Sequence, residues 1–206
     1  MASEAANYWN NIHQTKKSDV SWWQDEKDLW LDLLQHCSGS KTLGAIDVGA
    51  GSSYFIDALS TQNYSPLFVN DLSASALEEI SNRFTQRHVE LTVLQGDVCD
   101  LQLKNRVGLW HDRAVFHFLT DSASKAEYKN SLLRNTANTS DFIIATFSPE
   151  GPETCSGLQV QRWTAEDLAR FFAPEFSLVF NEVRMHHTPW GGSQSFTVCV
   201  MHRNGE

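Results

Sequence analysis

An acidic residue and two glycines stand near the start of the chain at a spacing that suits a nucleoside ligand. Asp47, Gly49 and Gly51 close an apolar stretch, and Ser53 follows where a helical pattern begins. A strand that turns on glycines into a helix lets a ligand lie against bare backbone. Asp71 ends the next apolar stretch, about 20 residues on, where a carboxylate can accept hydrogen bonds from both ribose hydroxyls. The pattern predicts a nucleoside site.

The form of the glycine turn discriminates between cofactors. The third glycine of the dinucleotide fingerprint is replaced by Ser53, although a pyrophosphate needs the start of that helix open and close. S-adenosylmethionine (SAM) has no phosphate and lays its methionine portion along the first turn. The chain also lacks the Gly-x-x-x-x-Gly-Lys-[Ser/Thr] loop that cradles phosphates. The turn therefore favours SAM over NAD.

Two further positions extend the predicted cofactor site towards the adenine. Asp97 follows the third apolar stretch and can accept from the adenine amino group, while Val98 and Leu72 can supply apolar contact. Structural interpretations also remain open. Asp97 would serve equally as a solvated turn residue, and Asp71 or Ser73 as the cap of the following helix.

The fourth apolar stretch ends in residues that could act on a methyl acceptor. His111, Asp112 and His117 are candidates to orient an acceptor or remove its proton, and His111 would also border the cofactor. Ligands lie outside the carboxyl ends of the strands in open α/β sheets, which favours this location. The structural alternatives are an Asp112–Arg113 ion pair and a core position for His117.

Four residues are candidates for binding the acceptor itself. Arg113 follows the fourth strand, Cys155 lies in the loop after the fifth, and Trp22 with Trp23 would belong to an N-terminal lid. Aromatic faces interact favourably with a sulfonium cation. Core packing accounts for the tryptophans as well, and a cysteine in such a loop is often simply a small residue.

Composition narrows the class of partner. The 206 residues carry a net charge of −9, so we expect no nucleic-acid partner. No apolar stretch approaches the roughly 20 residues that span a bilayer, and no secretion signal precedes the first helix, so we expect a cytoplasmic protein without membrane contact. The cysteines are scattered, and His186 and His187 would point to opposite faces of a strand, so we expect no metal site.

Strand and helix patterns alternate from residue 42 onward and predict an α/β fold. The predicted strands are 42–48, 66–70, 90–95, 107–111, 141–147, 176–187 and 194–203, and the predicted helices are 53–61, 73–86, 122–135 and 164–172. Such a series gives a doubly wound, Rossmann-like sheet. The last two strands share so short a turn that they must be antiparallel. We expect one domain over 1–206, with an N-terminal helical lid region (1–37) on a core (42–206). The lid region reads as two helices, the second capped by Asp25.

With these residues in place, the chain resembles the class I (seven-β-strand) SAM-dependent methyltransferases over nearly its whole length. Residues 47–51 match the family's first motif, Asp71 its acidic second motif, and residues 96–98 its adenine site. Segments 21–24, 111–119, 145–147 and 155–158 resemble a small subgroup, which is distantly similar to seven-strand protein-lysine methyltransferases. Those enzymes begin with Trp-Asp-x-x-Tyr, whereas this chain has Tyr8-Trp9-Asn10-Asn11-Ile12-His13.

The resemblance implies a transferase that moves a methyl group from SAM to an acceptor. We expect a small-molecule acceptor, because the chain has no added substrate domain. A protein-lysine acceptor is the alternative, and a non-catalytic SAM-binding or interaction domain is a third possibility.

Overall fold

The computed structural model describes residues 4–16, 19–24 and 29–205. Seven strands form the main sheet: β1 (Ala45–Val48), β2 (Leu67–Asp71), β3 (Thr92–Gln95), β4 (Val107–Arg113), β5 (Thr136–Phe147), β6 (Phe176–His187) and β7 (Ser193–Arg203). Five α-helices accompany it: α1 (Glu4–Lys16), α2 (Phe55–Thr61), α3 (Ala74–Arg87), α4 (Ser122–Asn135) and α5 (Ala165–Phe172). A small ladder pairs Thr154–Cys155 with Leu158–Gln159. None of the described helices is long and apolar enough to cross a membrane.

The sheet has the order β3-β2-β1-β4-β5-β7-β6. The first five strands are parallel, and β7 runs antiparallel to both β5 and β6. This confirms the predicted sheet and its antiparallel last strand. The order reverses between β1 and β4, which is where an open α/β sheet forms a crevice for ligands.

Two elements near the N-terminus differ from the sequence-based expectation, and β5 begins at Thr136 where residue 141 was expected. Residues Lys41–Leu43 form a 3₁₀ turn, and β1 begins only at Ala45 because Gly44 reverses the chain with φ +79°. Residues Leu31–His36 form a 3₁₀ helix where a second N-terminal α-helix was expected. The cap proposed for that helix, Asp25, lies outside the described residues.

Local capping fixes where the helices begin. Ser73 Oγ accepts from the Ala76 N–H (3.2 Å), Asp121 from the Ser124 N–H (2.9 Å), and Thr164 from the Asp167 N–H. These bonds satisfy N–H groups that have no partner within the helix. The Ser73 cap begins α3 directly after β2, so that the start of α3 faces the carboxyl edge of the sheet.

The core consists of one cluster on each face of the sheet. One includes the buried sides of α2 and α3, among them Ile56, Leu59 and Phe84, and the other includes those of α4 and α5, among them Tyr128 and Phe172. Both faces are therefore covered, as the near-continuous burial of β1 and β2 requires. The carboxyl edge is left for a ligand, and α1 packs against α3 beside it.

Candidate active site

A cavity of about 290 Å³ lies at the carboxyl edge of the sheet. The glycine turn after β1, the ends of β2 and β3, the segment after β4 and helix α1 all contribute to its wall. A second, much smaller cavity of about 40 Å³ adjoins the glycine turn. Gly49, Trp22 and Arg113 border both, so the two cavities are neighbours along one crevice.

The glycine turn needs its glycines. Gly49 and Gly51 have backbone φ angles of +57° and +54°, values that residues other than glycine rarely adopt. A Cβ on Gly49 would lie 2.0 Å from Val115 Cγ2, inside the segment that follows β4. The backbone of Gly49 and Gly51 therefore forms part of the cavity wall, and its contact with a ligand stays a prediction.

Asp71 connects the glycine turn to the start of α3. Its Oδ2 accepts from the Gly51 N–H (2.8 Å), and its Oδ1 accepts from the Ser73 N–H (2.7 Å). Burial raises the pKa of Asp71, whereas the Ser73 N–H, nearby His13 and the Gly51 N–H act in the opposite direction. The helix cap is Ser73 rather than Asp71. Asp71 lines the cavity, and its contact with a ribose stays a prediction.

The predicted adenine residues lie together along the same cavity. Asp97, Val98 and Leu72 all contribute to its wall. Asp97 also caps a short 3₁₀ turn, since its Oδ1 accepts from the Cys99 N–H at 2.9 Å. The turn role and the ligand role are thus compatible, because Asp97 is exposed and keeps a second carboxylate oxygen.

Asp47 and His111 form a buried pair beside the small cavity. His111 Nδ1 and Asp47 Oδ1 are 2.6 Å apart, and the imidazole stacks on Phe55 at 3.7 Å between ring centroids. Asp47 Oδ2 is buried without a hydrogen-bond partner among the described residues. Ser53 lines the same cavity and its Oγ accepts from the Phe55 N–H. His111 thus borders the methionine side of the predicted cofactor site.

Asp112 and His117 do not line either cavity. Asp112 is fully buried, where its carboxylate accepts from the Tyr128 hydroxyl (2.5 Å) and from the Val115 N–H (2.9 Å), and burial raises its pKa to about 6. His117 is also fully buried, and its Nδ1 accepts from the Phe147 N–H at 3.4 Å. Burial, aided by Arg113, lowers the His117 pKa to about 3. The structure thus places both groups in the packing behind the site.

The four predicted acceptor residues divide between the two cavities. Trp22, Arg113 and Cys155 line the large one, and Trp23 lines only the small one. Arg113 Nη2 donates to the Trp22 carbonyl at 2.7 Å. Burial raises the Cys155 pKa to about 11, which keeps the thiol neutral near neutral pH.

Helix α1 contributes side chains that the sequence reasoning did not assign to the site. Trp9 and His13 line the large cavity, one helical turn apart, and Trp9 packs edge-to-face on Trp22 (5.8 Å) and Phe118 (5.3 Å). Asn10 Oδ1 accepts from the Ser73 hydroxyl at 3.0 Å and so connects α1 to α3. The i, i+4 spacing of Trp9 and His13 was the available signal. In the described part of the chain, no three His, Cys, Asp or Glu side chains gather as a metal site would require.

Comparisons with known proteins agree with this geometry. Residues 46–135 match the family described as Methyltransferase domain. A SAM-dependent methyltransferase from Anabaena variabilis has a similar structure (TM-score 0.75, 16% identity, 98% of this chain and 96% of that chain covered). A search of curated protein sequences finds no significant match.

Two other similar structures are those of N-methyltransferases. The N-methyltransferase NodS from Bradyrhizobium japonicum, solved with S-adenosylhomocysteine (SAH), gives a TM-score of 0.72 at 13% identity over 96% of this chain and 98% of that chain. The 1,6-didemethyltoxoflavin N1-methyltransferase from Burkholderia thailandensis gives 0.68 at 16% identity over 99% and 91%. The domain match over residues 46–135 and the strand order together show that the chain has the Rossmann-like fold of the SAM-dependent methyltransferases to which it is similar.

Proposed function

We propose that this protein transfers the methyl group of SAM to a small-molecule acceptor. The observation that carries the acceptor class is the shape of the site. The nucleoside residues, Cys155 and Leu158 all line the large cavity, and Trp9 and Trp22 of the N-terminal region contribute to the same wall. A concave site with apolar and aromatic walls and a few polar groups is typical of small-molecule sites.

The residues present fit the cofactor along its whole length. Asp71 and Asp97 offer carboxylate oxygens to the ribose and the adenine amino group, and Val98 with Leu72 offers apolar contact. At the other end, the unpartnered Asp47 Oδ2 suits the ammonium of the methionine portion, because a buried carboxylate oxygen without a donor is costly. The glycine turn and Ser53 leave room between these ends.

The chemistry requires mainly alignment. Bound SAM supplies a methyl group on a positively charged sulfur, which is a good leaving group. The chain's own part is to hold the acceptor in line and to exclude water. Trp9, Trp22 and Phe118 do the second, and their aromatic faces are favourable neighbours for a cation.

The catalytic assignments of His111, Asp112 and His117 remain predictions, with different support. His111 borders the cofactor side and is held by Asp47. Asp112 and His117 are buried among packing residues, which favours a positioning role over proton transfer. The single-domain organisation with an N-terminal lid is likewise our proposal. It is supported by the hydrogen bonds that Asn10 Oδ1 accepts from the Ser73 hydroxyl and the Ser75 N–H at the start of α3.

The compound bound to one of the similar enzymes supports the small-molecule interpretation. The Burkholderia enzyme was solved with 1,6-didemethyltoxoflavin, a small molecule, and SAH. A protein-lysine acceptor is the alternative. It would need access for a side chain past Trp9 and Trp22.

A radiolabelled-methyl assay on size-fractionated cell extract tests the proposal. The full chain and labelled SAM are incubated with a low-mass and a macromolecular fraction. We expect a labelled low-mass product that separates from SAM by chromatography, and no such product when the protein is omitted. Label confined to the macromolecular fraction would contradict the small-molecule acceptor.

A further inference from the structure

Three side chains from one face of the sheet meet at the small cavity. Asp47 on β1 lies opposite His111 on β4 in the parallel register, and Arg113 follows His111 on the same face, nearer the carboxyl edge. All three line the small cavity together with the glycine turn. Arg113 also lines the large cavity, so it lies where the two cavities adjoin. The small cavity is therefore bordered by one carboxylate and one guanidinium.

Asp47 and Arg113 attract each other without forming an ion pair. Burial lowers the pKa of Arg113 to about 10, whereas the charge of Asp47 acts to raise it, so the guanidinium stays positive near neutral pH. None of the ion pairs in the described part of the chain joins these two side chains. Asp47 uses its Oδ1 for His111 instead. Two opposite charges thus border one cavity with a gap between them.

Each of the two side chains keeps a buried polar atom unused. Asp47 Oδ2 and Arg113 Nε are both buried, and neither has a hydrogen-bond partner among the described residues. Leaving such atoms unpaired is costly, and more so in a charged group. A ligand that carries both a cationic donor and an anionic acceptor would satisfy the two atoms. Because the two protein charges compensate each other, a ligand whose own charges cancel would add no net charge to the site.

We propose that Asp47 and Arg113 form a two-charge clamp for the zwitterionic amino-acid end of the cofactor, in which Arg113 binds the carboxylate. This rests on the proposed use of SAM, and it assigns Arg113 to the cofactor rather than to the acceptor. The ammonium takes the free oxygen of Asp47, as proposed above. A guanidinium suits the other group, because its planar fork of N–H donors matches a carboxylate.

Arg113 also connects this clamp to the N-terminal segment 19–24. Its Nη2 donates to the Trp22 carbonyl at 2.7 Å, and Trp22, Trp23 and Gln24 line the small cavity. Trp22 lines the large cavity as well. A carboxylate that holds the guanidinium therefore also holds the Trp22 backbone. We expect segment 19–24 to be better protected from hydrogen exchange when the bound ligand has a carboxylate.

Four adenosine ligands separate the two charges in titration calorimetry. SAH carries both, its decarboxylated analogue keeps only the amine, its deaminated analogue keeps only the carboxylate, and 5′-methylthioadenosine has neither. We expect Arg113→Gln to weaken SAH and the deaminated analogue about 10–100-fold, the effect of losing a hydrogen bond to a charged group, and to leave the other two within about twofold. Arg113→Lys should keep part of the affinity, because it keeps the charge. Asp47→Asn should instead weaken SAH and the decarboxylated analogue.

Arg184→Gln is the matched control for the arginine. Like Arg113, Arg184 packs on Trp30, but it pairs with Asp32 and lines neither cavity. This variant should bind all four ligands as the wild type does. Hydrogen exchange of segment 19–24 gives a second readout. Exchange should slow more with SAH than with the decarboxylated analogue in the wild type, and equally with both in Arg113→Gln.

Three outcomes would overturn the proposal. One is an equal loss of affinity for all four ligands in Arg113→Gln, since the arginine would then only support the fold of the site. Another is unchanged SAH affinity in a folded Arg113→Gln variant. The third is equal exchange of segment 19–24 with SAH and with its decarboxylated analogue in the wild type. Failure of the wild-type protein to bind SAH at all would instead refute the proposed function itself.

Discussion

Replacing Asp71 by asparagine separates a ligand role from a purely structural one. The substitution keeps the size of the side chain but removes the charge and turns one acceptor oxygen into a donor. In the folded chain both oxygens of Asp71 already accept backbone N–H bonds, from Gly51 and from Ser73. Alanine would be a poorer choice, because it would remove both bonds and disturb the glycine turn itself.

The expected magnitude follows from what the charge does in each state. Burial raises the pKa of Asp71, so the ionised carboxylate is held in the fold at a cost. Removing the charge relieves that cost and offsets part of the lost bonding to Gly51 and Ser73. We therefore expect a small change in melting temperature. A ribose hydroxyl bonded to the carboxylate would lose about 1.5–3 kcal/mol, or about 10–100-fold in affinity.

Titration calorimetry with SAH and with adenosine measures the effect. Both ligands contain the ribose, so both should weaken by a similar factor in Asp71→Asn. Asp121→Asn is the matched control, because Asp121 also accepts a backbone N–H bond, from Ser124, but lies away from the cavity. Unchanged SAH affinity in a folded Asp71→Asn variant would refute the ribose assignment.

Three further substitutions test other parts of the site. Gly49→Ala should abolish SAH binding and lower stability by roughly 1–3 kcal/mol, because the new Cβ would lie 2.0 Å from Val115 at φ +57°; a normal melting curve with normal SAH affinity would contradict this. Trp9→Ala should raise the KM of any acceptor more than that of SAM, since Trp9 packs on Phe118; the exposed Trp190→Ala serves as control, and equal effects of the two variants would count against the lid. The His117 pKa is lowered to about 3, so the unfolded chain binds that proton first and stability is lost as pH falls from about 6.5 towards 3. In urea unfolding, His117→Asn should remove up to about 1.4 kcal/mol of that loss per pH unit, and an unchanged pH slope would contradict the buried neutral histidine.

Much of the fold was predictable because its signals are local. The alternation of apolar strands with helical patterns, and the short turn that joins the last two strands, act between residues close in the chain. The gathering of the candidate cofactor residues at one edge of the sheet was predictable for the same reason. Gly49, Gly51, Asp71 and Asp97 each stand at the end of a parallel strand, and parallel strands bring their carboxyl ends to one edge.

The acceptor side was harder to predict because it depends on which face a side chain occupies. Asp112 and Arg113 were grouped as a possible ion pair, but successive residues on a strand point to opposite faces. Asp112 accordingly bonds Tyr128 in the core, and Arg113 reaches the cavity with His111 on its own face. The position of His13 over Asp71 depends on how α1 packs on α3. No local pattern encodes that contact.

The most direct test of the central claim is calorimetric titration of the full chain with SAH, SAM and NAD. Asp71 and Asp97 line the cavity as the proposed nucleoside residues, and the glycine turn lacks the third glycine of the dinucleotide fingerprint. We predict binding of one SAH and one SAM per chain, competition between the two, and no heat from NAD. Binding of NAD without binding of SAH or SAM would contradict the account.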